Sequence, residues 1–159
     1  MGYKVNAVAT PLRDPRLNKL IVTVRESAGV KVLDRKKDTR EVMRCLRRGE
    51  ILGVLIDQDT SVQSVIVDFL GKPARTAAGP VRLASRTGAA IVPLAMLMDD
   101  NDNYVIQVKE PVYIGDGGNR LEKEVERCSK LVESFINREP CQWVWVHKRW
   151  KSIYKDLYN

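Results

Sequence analysis

The chain has 159 residues, a formal net charge of +7, and a composition that is 44% hydrophobic and 30% charged. That is the length of one domain with enough apolar content for a core, and no apolar run approaches the roughly 20 residues a spanning helix needs. The excess of positive charge points to a polyanionic partner (nucleic acid, anionic lipid headgroups or an acidic carrier protein), and composition alone does not choose among them.

Taken in order, residues 5–9 predict a strand ended by Pro11. Asp14 followed by Pro15 is the start a helix prefers, and Leu17, Leu20, Ile21 and Val24 recur at helical spacing up to Gly29. A short strand over residues 30–33 leads to Asp38 or Thr39 as the cap of a second helix, striped by Val42, Met43 and Leu46 and stopped at Gly49. Its other face carries Arg40, Arg44, Arg47 and Arg48, which suits either a solvated surface or contact with lipid phosphates or an acidic carrier. The apolar run 51–56 predicts a buried strand, and Asp57, Gln58 and Asp59 follow at its carboxyl end, where an open α/β sheet presents its ligand crevice. If that strand carries on for two residues, Asp57 and Asp59 point the same way.

Residues 65–70 predict another strand, followed by a small-residue, basic loop, Gly71-Lys72-Pro73-Ala74-Arg75-Thr76. A helix over 77–86 closes at Gly88, and residues 90–94 begin a further strand. Acidic turn and basic loop together predict a groove with an apolar floor between them. Asp99-Asp100-Asn101-Asp102-Asn103 lacks the glycine and distal glutamate of a calcium loop and predicts a hairpin turn, with residues 104–109 as the return strand. The glycines of Gly115-Asp116-Gly117-Gly118 fit neither a P-loop nor a dinucleotide fingerprint, so this is a plain loop. The longest helix, 120–137, places Leu121, Val125, Cys128, Val132 and Phe135 or Ile136 on one face. The three cysteines, Cys45, Cys128 and Cys141, have neither metal nor disulfide spacing and read as free thiols. Strands alternating with helices, plus one hairpin, give the fold class: α/β, a mixed β-sheet flanked by helices.

Two stretches carry a resemblance. The pattern Phe69-x-Gly71-x-x-Ala74-x-Thr76-x-x-Gly79-Pro80-x-x-Leu83-Ala84-x-x-Thr87-Gly88-Ala89-x-Ile91-Val92-Pro93 resembles the lipid A biosynthesis acyltransferases, a branch of the lysophospholipid acyltransferase superfamily. Gln142-Trp143-x-Trp145-x-His147-Lys148-Arg149-Trp150 is similar to the closing signature of the same family. The resemblance implies a glycerolipid acyltransferase-like single domain over residues 1–159. It also implies transfer of an acyl group from a thioester, on acyl carrier protein or coenzyme A, to a hydroxyl of a lipid A precursor or related glycolipid, with the thioester as co-substrate and no other cofactor and no metal. The expected setting is peripheral, on the anionic lipid of the cytoplasmic face of the bacterial inner membrane, and no nucleic acid is expected. Oligomeric state is left open.

Acylating a hydroxyl requires a base, and a carboxylate with an ordinary pKa near 3.9 is weak for that at neutral pH. The family pattern is a histidine followed five residues later by Asp or Glu, and this sequence does not contain it; its one histidine, His147, lies in the closing signature and reads as structural or surface. The chain is therefore expected to lack the family's N-terminal anchor and catalytic histidine block, and full activity on its own. Asp57 and Asp59 stand where the superfamily carries an acidic block, suited to orienting that histidine or holding the acceptor's polar head. Arg75 and Thr76 resemble the basic and hydroxyl positions before the Gly79-Pro80 helix, where a guanidinium takes phosphate bidentately and a helix start adds its dipole. Gly79 is expected to permit close packing, and Gln58 sits between the two acids. The family's Tyr-Arg-Pro is Ala9-Thr10-Pro11 here, with Arg13 a possible substitute for the missing arginine. Trp143, Trp145 and Trp150 interleave with Lys148, Arg149 and Lys151, which fits a membrane interface or, for at least two rings, a core. A rival reading is a non-catalytic basic module binding anionic lipid or an acidic carrier.

Overall fold

Parallel strands cannot be joined by a tight turn, so a sequence that alternates strand and helix builds its first sheet through crossovers. The computed structural model describes residues 2–60, 62–115 and 120–158. Its contacts divide the chain into two compact units, Met1–Val54 and Leu55–Asn159.

In the first unit β1 (Val5–Ala9), β2 (Val30–Asp34) and β3 (Ile51–Gly53) form a parallel sheet in the order β2-β1-β3. The crossovers are α1 (Pro15–Ser27) and α2 (Thr39–Arg47). α1 begins as the sequence predicts, with the Asp14 carboxylate accepting from the amides of Arg16 and Leu17 at 2.8 and 3.3 Å and Pro15 in the first turn. Its apolar stripe, however, does not face the sheet. Only Asn18 and Val22 are partly covered, and no residue of the helix is buried. α2 buries Val42 and Cys45. At the centre, buried Asn6 donates through Nδ2 to Glu50 and to the carbonyl of Ile51, at 3.0 and 3.2 Å.

The expected buried strand over 51–56 is a correction: β3 covers only Ile51–Gly53, and Ile51, Val54 and Leu55 are exposed. A run of apolar residues without alternation does not distinguish a buried strand from an irregular apolar segment.

In the second unit β4 (Ser64–Phe69) pairs antiparallel with β5 (Lys72–Ala77), from Ser64 opposite Ala77 to Phe69 opposite Lys72. Residues 72–77 are thus a strand where the sequence predicts a loop. Leu70 and Gly71 make the connection with φ of 51° and 76°, a two-residue turn whose twist matches that of the strands it joins. α3 (Gly79–Thr87) ends on Gly88, whose φ of 72° is the left-handed cap conformation glycine supplies without strain. β6 (Leu94–Met98) and β7 (Tyr104–Val108) form the second hairpin around the expected Asp99 turn, and Ile91 bridges Val112. α4 (Leu121–Arg138) lays Val125, Cys128, Phe135 and Ile136 inward. Val67, Ala78, Val81, Val112, Val125 and Cys128 form one core cluster, and Phe69, Ala74 and Ile136 a second, against which Trp143 and Trp150 pack. The protein is α/β, with small sheets flanked by four helices. Of the expected glycine-rich loop, Asp116, Gly117 and Gly118 lie outside the described residues.

Candidate functional site

The hairpin β4–β5 decides what the basic segment offers. Alternation along a strand sends neighbouring side chains to opposite faces. Val67, Phe69, Ala74 and Thr76 are buried on the inner face, whereas Ile66 is exposed on the outer face with Arg75 opposite it. Arg75 and Thr76, expected to serve one substrate together, therefore point apart. The Thr76 hydroxyl is fully buried, and among the described residues the Arg75 guanidinium makes no hydrogen bond or ion pair.

What the inner face meets is Arg149, which is fully buried. Its Nη1 donates to the carbonyl of Arg75 and its Nη2 to the Thr76 hydroxyl, each at 2.6 Å. Its guanidinium carbon lies 4.6 Å from the centre of the Phe69 ring, a cation stacked on an aromatic face. Phe69 is flanked in turn by Trp143 and Trp150, with ring centroids at 5.6 and 6.1 Å. Burial pushes the Arg149 pKa down, and the carboxylates of Asp59 and Asp57 oppose that shift. A guanidinium starts from so high a pKa that it stays charged. Its Nε is buried without a partner.

The two acids are held by the same C-terminal segment. Asp57 accepts from the indole Nε1 of Trp143 at 2.9 Å. Asp59 accepts from the Ser152 hydroxyl at 2.6 Å and the Ser152 amide at 2.9 Å, while its own amide donates to Nε2 of His147 at 2.8 Å. His147 thus accepts a backbone hydrogen bond from the acidic turn. The alternation expected to aim Asp57 and Asp59 along one face does not operate, because no strand reaches them.

The acidic turn and the basic segment do belong to one neighbourhood, joined through Trp143, Phe69 and Arg149. Gln58 is exposed beside the acids. Gly79 opens α3, and a side chain added there would meet nothing within 4 Å, so close packing is not what it provides. Arg13 lies in the first unit, exposed in the loop before α1.

Sequence reasoning missed Arg149, grouping it with Lys148 and Lys151 as a headgroup contact. Trp143 and Trp150 are partly buried in the aromatic cluster, and Trp145 is 53% exposed with its Nε1 donating to the carbonyl of Pro140 at 2.6 Å. The available signal was a cation placed directly before one of three closely spaced tryptophans. Among the described residues no group of three or more His, Cys, Asp or Glu side chains is arranged to hold a metal ion.

Residues 1–152 match the family described as bacterial lipid A biosynthesis acyltransferase. A lipid A biosynthesis acyltransferase of Haemophilus influenzae is 25% identical over 162 aligned positions, covering 99% of this chain and 50% of that protein. The lipid A biosynthesis lauroyltransferase of Escherichia coli is 26% identical over 91% of this chain and 48% of its own length. A phosphatidylinositol mannoside acyltransferase of Mycobacterium tuberculosis is 36% identical over 54% of this chain and 28% of its own. The chain spans about half the length of the first two relatives. With the family pattern matched over nearly its whole length, the chain belongs to the bacterial lipid A biosynthesis acyltransferase family.

Proposed function

We propose that this chain is part of an O-acyltransferase that moves a fatty acyl group from a thioester, on acyl carrier protein or coenzyme A, to a hydroxyl of a lipid A precursor or related glycolipid. It works peripherally at the cytoplasmic face of the bacterial inner membrane, with no cofactor beyond the thioester. The observation that carries this reading is the family match over residues 1–152, together with relatives whose names differ in the lipid and share acyl transfer. The proton acceptor for the hydroxyl is a residue this sequence does not contain. Asp57 and Asp59 orient that base or hold the acceptor's polar head, and the unpartnered Arg75 guanidinium takes an acceptor phosphate.

One observation favours a second reading, a non-catalytic basic module for anionic lipid or an acidic carrier: both acids already accept bonds from the protein's own C-terminal segment. Grafting residues 1–152 in place of the matched half of the Escherichia coli lauroyltransferase separates the two. Acyl transfer from a labelled thioester by the graft, reduced at least tenfold by Asp57→Asn, supports the enzyme. A folded graft that binds lipid without transfer supports the module and overturns the enzyme.

A further inference from the structure

Helix α1 carries an apolar stripe that no described residue buries. Leu17, Leu20, Ile21 and Val24 are 53%, 60%, 39% and 60% exposed, and Leu12, just before the helix, is 46% exposed. The side that rests on the sheet is the one bearing Asn18 and Val22, and Asn18 also accepts from the amide of Leu12 at 2.9 Å, fixing the entry loop. At about 100° per residue the stripe covers an arc of about 100°. Arg16 then lies about 40° beyond one edge of it and Arg25 about 40° beyond the other, while Glu26 lies on the far side. The acid nearest the helix start, Asp14, is committed to the cap. Among the described residues Arg13, Arg16, Lys19 and Arg25 form no ion pair.

An exposed stripe bordered on both sides by arginines is the pattern of a helix that lies in a headgroup layer, apolar side chains among the acyl ends and cations on the phosphates. A second copy is the poorer occupant. A two-fold contact through the stripe would set Arg16 and Arg25 of one copy against the same cations of the other. Nucleic acid would meet the arginines and leave the stripe in water.

We propose that α1 is an interfacial membrane-docking helix for anionic lipid, with Leu17, Leu20, Ile21 and Val24 buried in the bilayer surface and Arg16 and Arg25 on lipid phosphates. The proposal goes beyond acyl transfer, uses the first unit only, and is tested without turnover, so either reading can fail alone.

The test is co-sedimentation of the chain with vesicles of phosphatidylglycerol or of phosphatidylcholine. The wild-type chain pellets with the anionic vesicles at least fivefold more than with the neutral ones. The double variant Leu20→Glu, Val24→Glu loses at least tenfold in pelleting, and Arg16→Glu, Arg25→Glu loses the preference between lipids. Because all four side chains are exposed, the thermal midpoints of both variants match the wild type. As a second readout, the emission of a Leu20→Trp variant shifts to the blue on anionic vesicles. Absence of wild-type pelleting, wild-type pelleting by the Leu20/Val24 variant, or an unshifted Leu20→Trp emission overturns the proposal. So does a wild-type dimer that the Leu20/Val24 variant converts to monomer.

Discussion

Arg48 and Arg149 each hold two partners, one in each unit of the chain, in opposite surroundings. Arg48 bridges Glu41 and Glu50 at 2.9 and 2.8 Å with its side chain 46% exposed, so water competes for every contact it makes. Arg149 is fully buried and touches no carboxylate directly: a carbonyl, a hydroxyl and an aromatic face surround it, and Asp57 and Asp59 act from further off. The visible ion pair is the replaceable one. The cation without an ion pair is the one whose removal would leave its surroundings unbalanced, because a buried polar group has no solvent to fall back on.

The sharpest way to break this contrast is Arg149→Ala, expected to cost about 2–5 kcal/mol in denaturant unfolding, because it empties a buried volume and leaves the Arg75 carbonyl and the Thr76 hydroxyl without their donor. Arg149→Lys is expected to recover little of that, since an ammonium cannot span the carbonyl and the hydroxyl as a planar fork does. Trp143→Phe keeps the ring contact with Phe69 and removes the donor to Asp57, with an expected loss of about 1–3 kcal/mol. In the first unit, Asp14→Ala removes the cap of α1 and is expected to cost about 1 kcal/mol, read from the same transitions.

Arg48 itself yields the smallest effect, best seen by titration. Arg48, helped by Asn6, holds the Glu50 carboxyl at about 2, below its ordinary 4.5. A lowered carboxylate stabilises above its ordinary pKa and loses that contribution as pH falls toward the folded value. Stability should therefore drop between pH 4.5 and about 2, less so in Arg48→Ala, when unfolding is followed across that window. Thiol labelling assigns these losses to a unit. Cys45 is buried in the first unit and Cys128 in the second, where burial raises its thiol to about 11, while Cys141 is exposed. Cys141 should react at once, Cys45 on opening of the first unit and Cys128 only on opening of the second.

Elements with their own punctuation were legible in the sequence. Asp14-Pro15 opens α1, Gly88 closes α3, and the Asp99 turn joins β6 to β7, each as local chemistry dictates. The β5 strand was not legible, because glycine, proline and cations over residues 71–75 read as a loop. Its strand character comes from pairing with β4, a tertiary fact. The same pairing is what sends Arg75 and Thr76 to opposite faces. Arg149 was hidden for a different reason: a charged residue next to Lys148 and Lys151 carries no local mark of burial, and only the ring of Phe69, 80 positions earlier, supplies its setting. The stripe of α1 was legible as an amphipathic pattern, while what lies against it was not, since periodicity gives a face and not its partner.

The Leu70–Gly71 turn has a consequence for timing. β4 and β5 meet through a connection of two residues, whereas β1 must find β2 across the whole of α1, with Val5 opposite Val30. Short loops close in tens of nanoseconds and hairpins form in about 1–10 μs, while distant parallel pairing waits on chain entropy. The β4–β5 hairpin is thus expected to form before β1 pairs with β2, and to present early the inner face that Arg149 fills.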